Sequence, residues 1–441
     1  MSGCLRTAQV QDLPTEDDDA GVVDAGVVDA GANDAGLIDS GTVLPSPVTL
    51  AAGSGFIAVN WAFPKVGESS PTSFSVAWRP PGGSQAAVSL SSNVRRYDLE
   101  SVGGTVIAYG SAVTVTVTAT YPNGIPSNIA TATGTMLAAA PPTELNTGPR
   151  LTQLTVNTAS GNFNGYNQTV DANDVVHYTG VKFTGGPQVN GTQGGPTTIN
   201  GYIFTDCEFT NGIVTEGSVT GDAGIVFDHC VGNNISSITN PGGSAIRTNF
   251  TGVSGSPLQL FRHDPSGLQG STTTSTPWAF IDCAFKCPYP TPENGGHFEA
   301  VHIRGAKDVT FTRCSYDVGW NRLPDGGVPA LTANIYIEGG FGGNDNIVFS
   351  NGWHYGAGPY YGLVLEGTNV SMVNERWARN GNFNDLSNDG NNQPGPSVSI
   401  QTNGGQVSSV SLRGNVWEVD GTGLDAGFLA QPSGNGTIRW Y

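Results

Sequence analysis

The chain has 441 residues, with 63 Gly, 27 Pro and only 12% charged residues. That length predicts two or three domains, and the composition argues for many short strands joined by tight turns rather than for helices. A formal net charge of -18 makes nucleic acid an unexpected partner, and no run of about 18 apolar residues predicts a membrane span.

The acidic charge is densest at the start. Asp19, Asp24, Asp29, Asp34 and Asp39 each open a five-residue unit, and four of the five read Asp-Ala-Gly. Small residues and repeated charge cannot bury a core, so residues 1–44 are expected to form a disordered acidic tether. The spacing lacks the clustered oxygen ligands of a calcium site. The opening Met1-Ser2-Gly3-Cys4 resembles the end of a bacterial lipobox without the apolar stretch that precedes it there, which makes Cys4 a candidate lipid anchor. A bacterial surface or extracellular location is the expectation, with a virion as the alternative.

Residues 45–136 predict a small β-sandwich. Phe56-Ile57-Ala58-Val59-Asn60-Trp61, Phe74-Ser75-Val76-Ala77-Trp78 and Val113-Thr114-Val115-Thr116-Val117 alternate in the manner of half-buried strands. Pro80-Pro81-Gly82-Gly83 and Pro122-Asn123-Gly124 punctuate them. The segment resembles a fibronectin type III domain through Trp61, Tyr97-Asp98-Leu99 and Ser127-Asn128-Ile129-Ala130-Thr131. It departs at Val113, where that family usually has its corner Tyr. The resemblance implies a spacer or adhesion unit. Residues 137–149, with Ala-Ala-Ala-Pro-Pro and Asn-Thr-Gly-Pro, are expected to be a linker.

Residues 150–441 carry an internal repeat, apolar-x-apolar-x-x-small-x-apolar. It reads Tyr202-x-Phe204-x-x-Cys207-x-Phe209, then Ile225-x-Phe227-x-x-Cys230, Trp278-x-Phe280-x-x-Cys283-x-Phe285 and Val309-x-Phe311-x-x-Cys314-x-Tyr316. Degenerate copies centre on Phe349, Met372 and Leu412, and weaker ones on Phe183 and Ile246. Each copy is expected to be one coil of a parallel β-helix, stacked at the strand spacing of about 4.8 Å. Phe204, Phe227, Phe280 and Phe311 then form one internal ladder, and Cys207, Cys230, Cys283 and Cys314 another. Buried Cys at a repeat position behaves as a small hydrophobe, and a ladder does not converge ligands on a metal. No metal or cofactor is expected. Cys287 falls outside the pattern.

A second strand precedes the repeat strand in each coil: Leu258-Gln259-Leu260-Phe261, Val301-His302-Ile303-Arg304, Ile335-Tyr336-Ile337-Glu338, Leu363-Val364-Leu365-Glu366 and Val398-Ser399-Ile400-Gln401. Alternation points the apolar members inward. It leaves two outward columns, Gln259-His302-Tyr336-Val364-Ser399 and Phe261-Arg304-Glu338-Glu366-Gln401. Insertions at about 286–298, 317–332, 354–361 and 380–396 lie between the Cys-position strand and this second strand. They carry His297, Trp320, His354, Tyr355 and Tyr360. Loops of that length in a compact repeat are often functional, and aromatic faces suit sugar rings.

The repeat, with His297-Phe298-Glu299-Ala300-Val301-His302-Ile303 leading into Val309-x-Phe311-x-x-Cys314, resembles the pectate-lyase-like superfamily. The expected fold is therefore all-β: a single-stranded right-handed parallel β-helix behind an N-terminal sandwich. The resemblance implies a polysaccharide partner and is unspecific for chemistry. The calcium-binding Asp set of pectate lyases is not found on the outward columns.

Glu338 and Glu366 are candidates for paired acid–base or nucleophile work, with one pKa expected to rise. His302 and Tyr336 are candidates for base and acid in a lyase. Arg304, His297, Glu299, Trp320, Tyr355 and Tyr360 are candidates for substrate binding. The bland reading is a solvated face on which Arg304–Glu338 is a cross-coil ion pair. Two functions stay open: a glycosidase or polysaccharide lyase, and a non-catalytic adhesin or phage tail appendage of the same fold.

Overall fold

The structure, a computed structural model, describes residues 47–63, 69–100, 107–124, 126–156, 168–185, 188–189, 200–210, 213–215, 224–233, 235–237, 242–251, 259–263, 277–286, 299–317, 333–338, 343–355, 363–377, 398–399, 402–403, 406–418, 420–423 and 437–440. The tether, Cys4 and Cys287 lie outside the described residues. No described helix is long and apolar enough to cross a membrane.

Seven strands build the sandwich: β1 Thr49–Gly53, β2 Phe56–Asn60, β3 Ser73–Arg79, β4 Ala86–Ser91, β5 Arg96–Glu100, β6 Ala112–Thr120 and β7 Ala130–Thr135. They pair antiparallel as β1-β2-β5 and β4-β3-β6-β7. Strict alternation drives the second sheet. Val113, Val115, Val117 and Ala119 of β6 are fully buried, as is Val76 of β3 opposite them. Trp61, Phe63 and Phe74 close the core, with Phe74 5.5 Å from Trp61 and 5.6 Å from Phe63.

Residues from 150 onward wind into the right-handed parallel β-helix that the repeat predicts. Its three sheets hold eleven, ten and eight strands among the described residues. The chain visits them in turn, and every neighbouring pair is parallel apart from the antiparallel start at Gln168–Val170. In the eleven-stranded sheet Phe204 pairs with Phe227, Ala245 with Phe280, and Phe311 with Phe349. Rings in register stack: Phe280 lies 4.6 Å from Phe311, and Phe311 4.6 Å from Phe349. The expected ladder is thus broken between Phe227 and Phe280 by one short coil, Gly243–Ile246, which supplies Ala245.

The cysteine ladder has the same interruption. Cys207, Cys230, Cys283 and Cys314 are buried free thiols, and Thr248 takes the position between Cys230 and Cys283. Size alone does not explain the column, because each member donates to the carbonyl of the coil before it. Cys230 Sγ donates to Phe204 O at 3.2 Å, Thr248 Oγ1 to Phe227 O at 3.2 Å and Cys283 Sγ to Ala245 O at 3.2 Å. Asn415 Nδ2 does the same to Met372 O at 3.2 Å. At these coils the position supplies a donor that keeps a buried carbonyl satisfied, whereas Val181, Gly352 and Glu375 occupy it without doing so.

The turn before this column is made by one left-handed residue per coil: Asp206, His229, Arg247, Asp282, Arg313, Asn351 and Asn374, with φ between 47° and 59°. Asp and Asn adopt this region readily, whereas His and Arg do so at a cost. The three costly residues are each held by carboxylates. His229 Nε2 lies 3.0 Å from Asp98, Arg247 reaches Asp98 at 3.2 Å and Glu100 at 2.7 Å, and Arg313 Nε donates to Asp282 at 2.7 Å.

Asp98 and Glu100 belong to β5, so these turns are also where the sandwich meets the β-helix. Arg150 forks onto Asp206 with two bonds of 3.0 Å. The segment expected to be a linker is bonded on both sides. Asn146 Nδ2 donates to Ala52 O at 2.6 Å, Ser315 Oγ to Pro142 O at 2.6 Å and Gly148 N to Arg247 O at 2.8 Å. Its Pro-Pro and Asn-Thr-Gly composition reads as a spacer because such residues also serve where backbone groups bond outside any sheet.

Candidate functional site

The eight-stranded sheet carries the predicted second strand. Glu299–Arg304 pairs with Ala333–Glu338, setting His302 opposite Tyr336 and Arg304 opposite Glu338. Ile335–Ile337 pairs in turn with Leu363–Leu365. Val301, Ile303, Ile335, Ile337, Leu363 and Leu365 are buried to within 1%, so the residues between them form the outer face, as alternation requires.

One part of the predicted columns is corrected. The register sets Gln259 opposite Glu299, Phe261 opposite Val301 and Arg262 opposite His302. Gln259 is therefore not the neighbour of His302, nor Phe261 of Arg304. The stretch Leu258-Gln259-Leu260-Phe261-Arg262-His263 can alternate in either phase, and a shift of an odd number of residues exchanges the two faces.

Glu338 is the hub. Arg304 Nε donates to its Oε2 at 2.5 Å and Arg304 Nη2 to its Oε1 at 2.6 Å, a two-pronged pair. His302 Nε2 lies 3.2 Å from Oε2, and an ionised carboxylate only accepts, so this nitrogen is the donor. Burial would raise the Glu338 pKa. The hydrogen bonds from His302 and Arg304, with the Arg304 charge, outweigh it and bring the value from 4.5 down to about 2. Glu338 is therefore not the carboxyl whose pKa crowding raises. His302 is buried, and its ring meets Tyr336 edge-on at 5.0 Å and 89°. Burial pushes the Tyr336 phenol up to about 12, helped by the charges of Glu338, Glu366 and Glu299. Tyr336 is thus a neutral donor at any physiological pH.

Glu366 directly follows the strand Leu363–Leu365 in the next coil and is 8% exposed. Its amide donates to Ile337 O at 2.9 Å, which sets it beside Glu338 along the helix axis. A residue that pattern reading missed fixes this pairing. Asn344, fully buried, donates from Nδ2 to Glu338 O at 2.8 Å and Glu366 O at 2.9 Å, and its Oδ1 accepts from Ala306 N at 3.0 Å. One side chain thereby ties the corners of three successive coils. Gly367 leaves room for it: a Cβ there would stand 3.2 Å from Asn344 Cβ.

The remaining predicted site residues divide. Glu299 opens its strand fully buried and aligns with Val301 and Ile303 rather than with the outer column. Tyr355 does not lie in an insertion. It ends the strand Trp353–Tyr355 of the ten-stranded sheet, and its hydroxyl donates to Glu418 at 3.1 Å. Burial, then the Glu418 carboxylate, pushes its pKa up. His354, also expected in that insertion, is core: fully buried, stacked on Trp377 at 3.8 Å, with Nε2 2.7 Å from Glu375 Oε2. His297, Trp320 and Tyr360 lie outside the described residues.

In chain order, four undescribed segments, 287–298, 318–332, 356–362 and 378–397, each run from a strand of the ten-stranded sheet to one of the eight-stranded sheet. The first three end at the strands that carry the outer-face cluster or lead directly into Glu366, and the fourth at the next strand of the same sheet, Val398–Ser399. No group of three metal-binding side chains occurs among the described residues.

A pH consequence follows from the hub. A carboxylate with a lowered folded pKa stabilises above its ordinary value and loses that contribution as pH falls. The stability difference between the native chain and Glu338→Gln should be constant above pH 4.5 and shrink as pH falls toward 2. Acid titration of chemical unfolding midpoints measures it, and a difference that grows on acidification would contradict the pairing.

No protein-family model matches the chain, and no curated protein does. Among solved structures, a pectate lyase from Pectobacterium carotovorum aligns at 11% identity over 90% of this chain and 91% of its own, with a TM-score of 0.17. A pectate lyase from Erwinia chrysanthemi in complex with tetragalacturonic acid aligns at 11% identity over 85% and 82%, with a TM-score of 0.16. A family 28 exopolygalacturonase from Yersinia enterocolitica aligns at 9% identity over 90% and 85%, with a TM-score of 0.18. At such superposition these likenesses carry no chemistry, and the fold rests on the strand register.

Proposed function

We propose that the chain is an extracellular polysaccharide-interacting β-helix protein whose glycan lies on the outer face of the eight-stranded sheet, across Arg304, Tyr336, Glu338 and Glu366. The observation that carries this reading is the position of that cluster. It is a half-buried set of ring, hydroxyl and charged groups on adjacent coils, in the sheet that four inserted segments lead into. Long parallel coils offer a linear polymer repeated contacts at the strand spacing of about 4.8 Å. The sandwich, with three strands facing four, supports a fibronectin type III-like module, and its ion pairs to the β-helix make it a fixed buttress.

Turnover is the second reading, favoured by the register that sets Glu366 next to Glu338 on the following coil. In it Glu338 stays ionised, held by Arg304 and His302, while Glu366 moves the proton. A glycan panel read both for retention and for released product separates the two. If the pair acts as a hydrolase, Glu366→Gln should cut product release at least about 100-fold and leave retention within a few-fold. Retention with no product on any glycan leaves a binding protein, such as an adhesin or tail appendage. Absence of retention removes both readings.

A further inference from the structure

We infer that the glycan taken by this face is non-anionic: an uncharged or amino-bearing polymer, not a polyuronate or a sulfated chain. The inference rests on the proposed polysaccharide reading and specifies its substrate class. Recognition of a sugar carboxylate or sulfate calls for a cation with donors to spare, best a guanidinium fork. Arg304 is the described arginine of this face, and the Nε–Nη2 edge of its guanidinium, two of its five N–H donors, is matched in charge and geometry by Glu338. To turn that fork toward a sugar carboxylate would strip Glu338 of its partner, leaving a half-buried carboxylate uncompensated.

The surroundings of the pair add negative charge. Glu366 sits beside Glu338 at the coil corner. Among the described side chains of the outer face, that sets one arginine, Arg304, against two carboxyl groups, Glu338 and Glu366. The chain as a whole carries -18. A polyanion would therefore approach a negative protein and meet a site whose strongest cation is already neutralised. Neutral hydroxyls, by contrast, bring no charge to be matched and find acceptors in the outer-face carboxylates. An amino sugar finds the carboxylates directly.

The test is retention of the full chain on a charge-graded panel: neutral glucan, xylan and mannan; chitosan; polygalacturonate and alginate. Each is run at low and high salt. At least one neutral or amino-bearing polymer should be held about tenfold more tightly than either polyuronate, a gap of about 1.4 kcal/mol, and neutral retention should be insensitive to salt. Glu338→Gln, which frees the Arg304 fork, should raise polyuronate retention several-fold relative to the native chain. Tighter binding of polyuronates that weakens with salt would overturn the inference and leave the polysaccharide reading standing. Unchanged polyuronate retention in Glu338→Gln would also overturn it, because the Arg304 fork would then not be what the pairing withholds. Failure to hold any polymer would defeat the polysaccharide reading itself, and the inference with it.

Discussion

Replacing Phe311 by alanine is expected to cost the fold about 3–5 kcal/mol. Phe311 is 1% exposed, and its ring stacks at 4.6 Å on Phe280 below and at 4.6 Å on Phe349 above. Tyr316 meets it at 65° from the neighbouring sheet. Truncation removes a whole layer of a one-dimensional stack, and backbone hydrogen bonds between coils prevent the layers on either side from closing the gap. Because coils contact mainly their neighbours, the loss should spread to adjacent coils before the whole chain unfolds. Denaturant unfolding followed by tryptophan fluorescence measures it. A loss under about 1 kcal/mol would mean that the stack is not continuous at Phe311.

Asp98→Ala is expected to cost about 3–5 kcal/mol by stranding buried cations. The Asp98 carboxylate, 6% exposed, takes Arg96 at 3.0 Å, His229 at 3.0 Å and Arg247 at 3.2 Å. Burial would raise its pKa, but the His229 hydrogen bond and the charges of Arg96, His229 and Arg247 bring it from 3.8 down to about 2. A depressed folded pKa means stabilisation present above 3.8 and lost as pH falls through 2, on the order of 2 kcal/mol. The variant should therefore open the sandwich from the β-helix at neutral pH, as acid should do to the native chain. Proteolysis around residues 137–150 and melting temperature report it together. A variant that melts like the native chain and resists cleavage there would show that the contact is only a solvated ion pair.

The repeat was legible because a β-helix stacks like on like. Aromatic and Cys positions recur at one place in each coil, so Phe204, Phe280 and Phe311 announce themselves without any alignment. The coil of Ala245 and Thr248 was harder to read because the same geometry is met there by a smaller apolar group and a different donor. His354 was read into a loop, since a polar ring rarely fills a core. Its partner Glu375 stands at the Cys position with room made by Gly352, where a Cβ would fall 2.6 Å from the Glu375 carboxylate. Only the pair makes either residue intelligible, and the two are separated by a coil.

The outer-face cluster was legible to the same degree. Arg304 and Glu338 come together because their strands share one alternation, and that follows from the sequence. The phase of the Leu258–His263 stretch did not follow, because apolar residues occupy both parities there. Asn344 was invisible as a positioning group. An Asn in a Gly-rich turn usually serves its own turn, whereas this one bonds across three coils. The bonding of the 137–149 segment was hidden for a related reason: turn-forming residues mark irregular backbone, and irregular backbone can still be bonded to what lies on either side.

The central claim, that glycan lies on the outer face of the eight-stranded sheet, is tested most directly by a paired variant, Arg304→Ala with Glu338→Ala. Removing both partners leaves neither member of the ion pair stranded, and His302 Nε2 loses one acceptor, so the fold should persist with a modest drop in melting temperature. Retention of whichever polymer the native chain holds is then measured on the folded variant. The account predicts a loss of at least about tenfold. Undiminished retention by a folded double variant would contradict it and move the binding surface to another face of the coil.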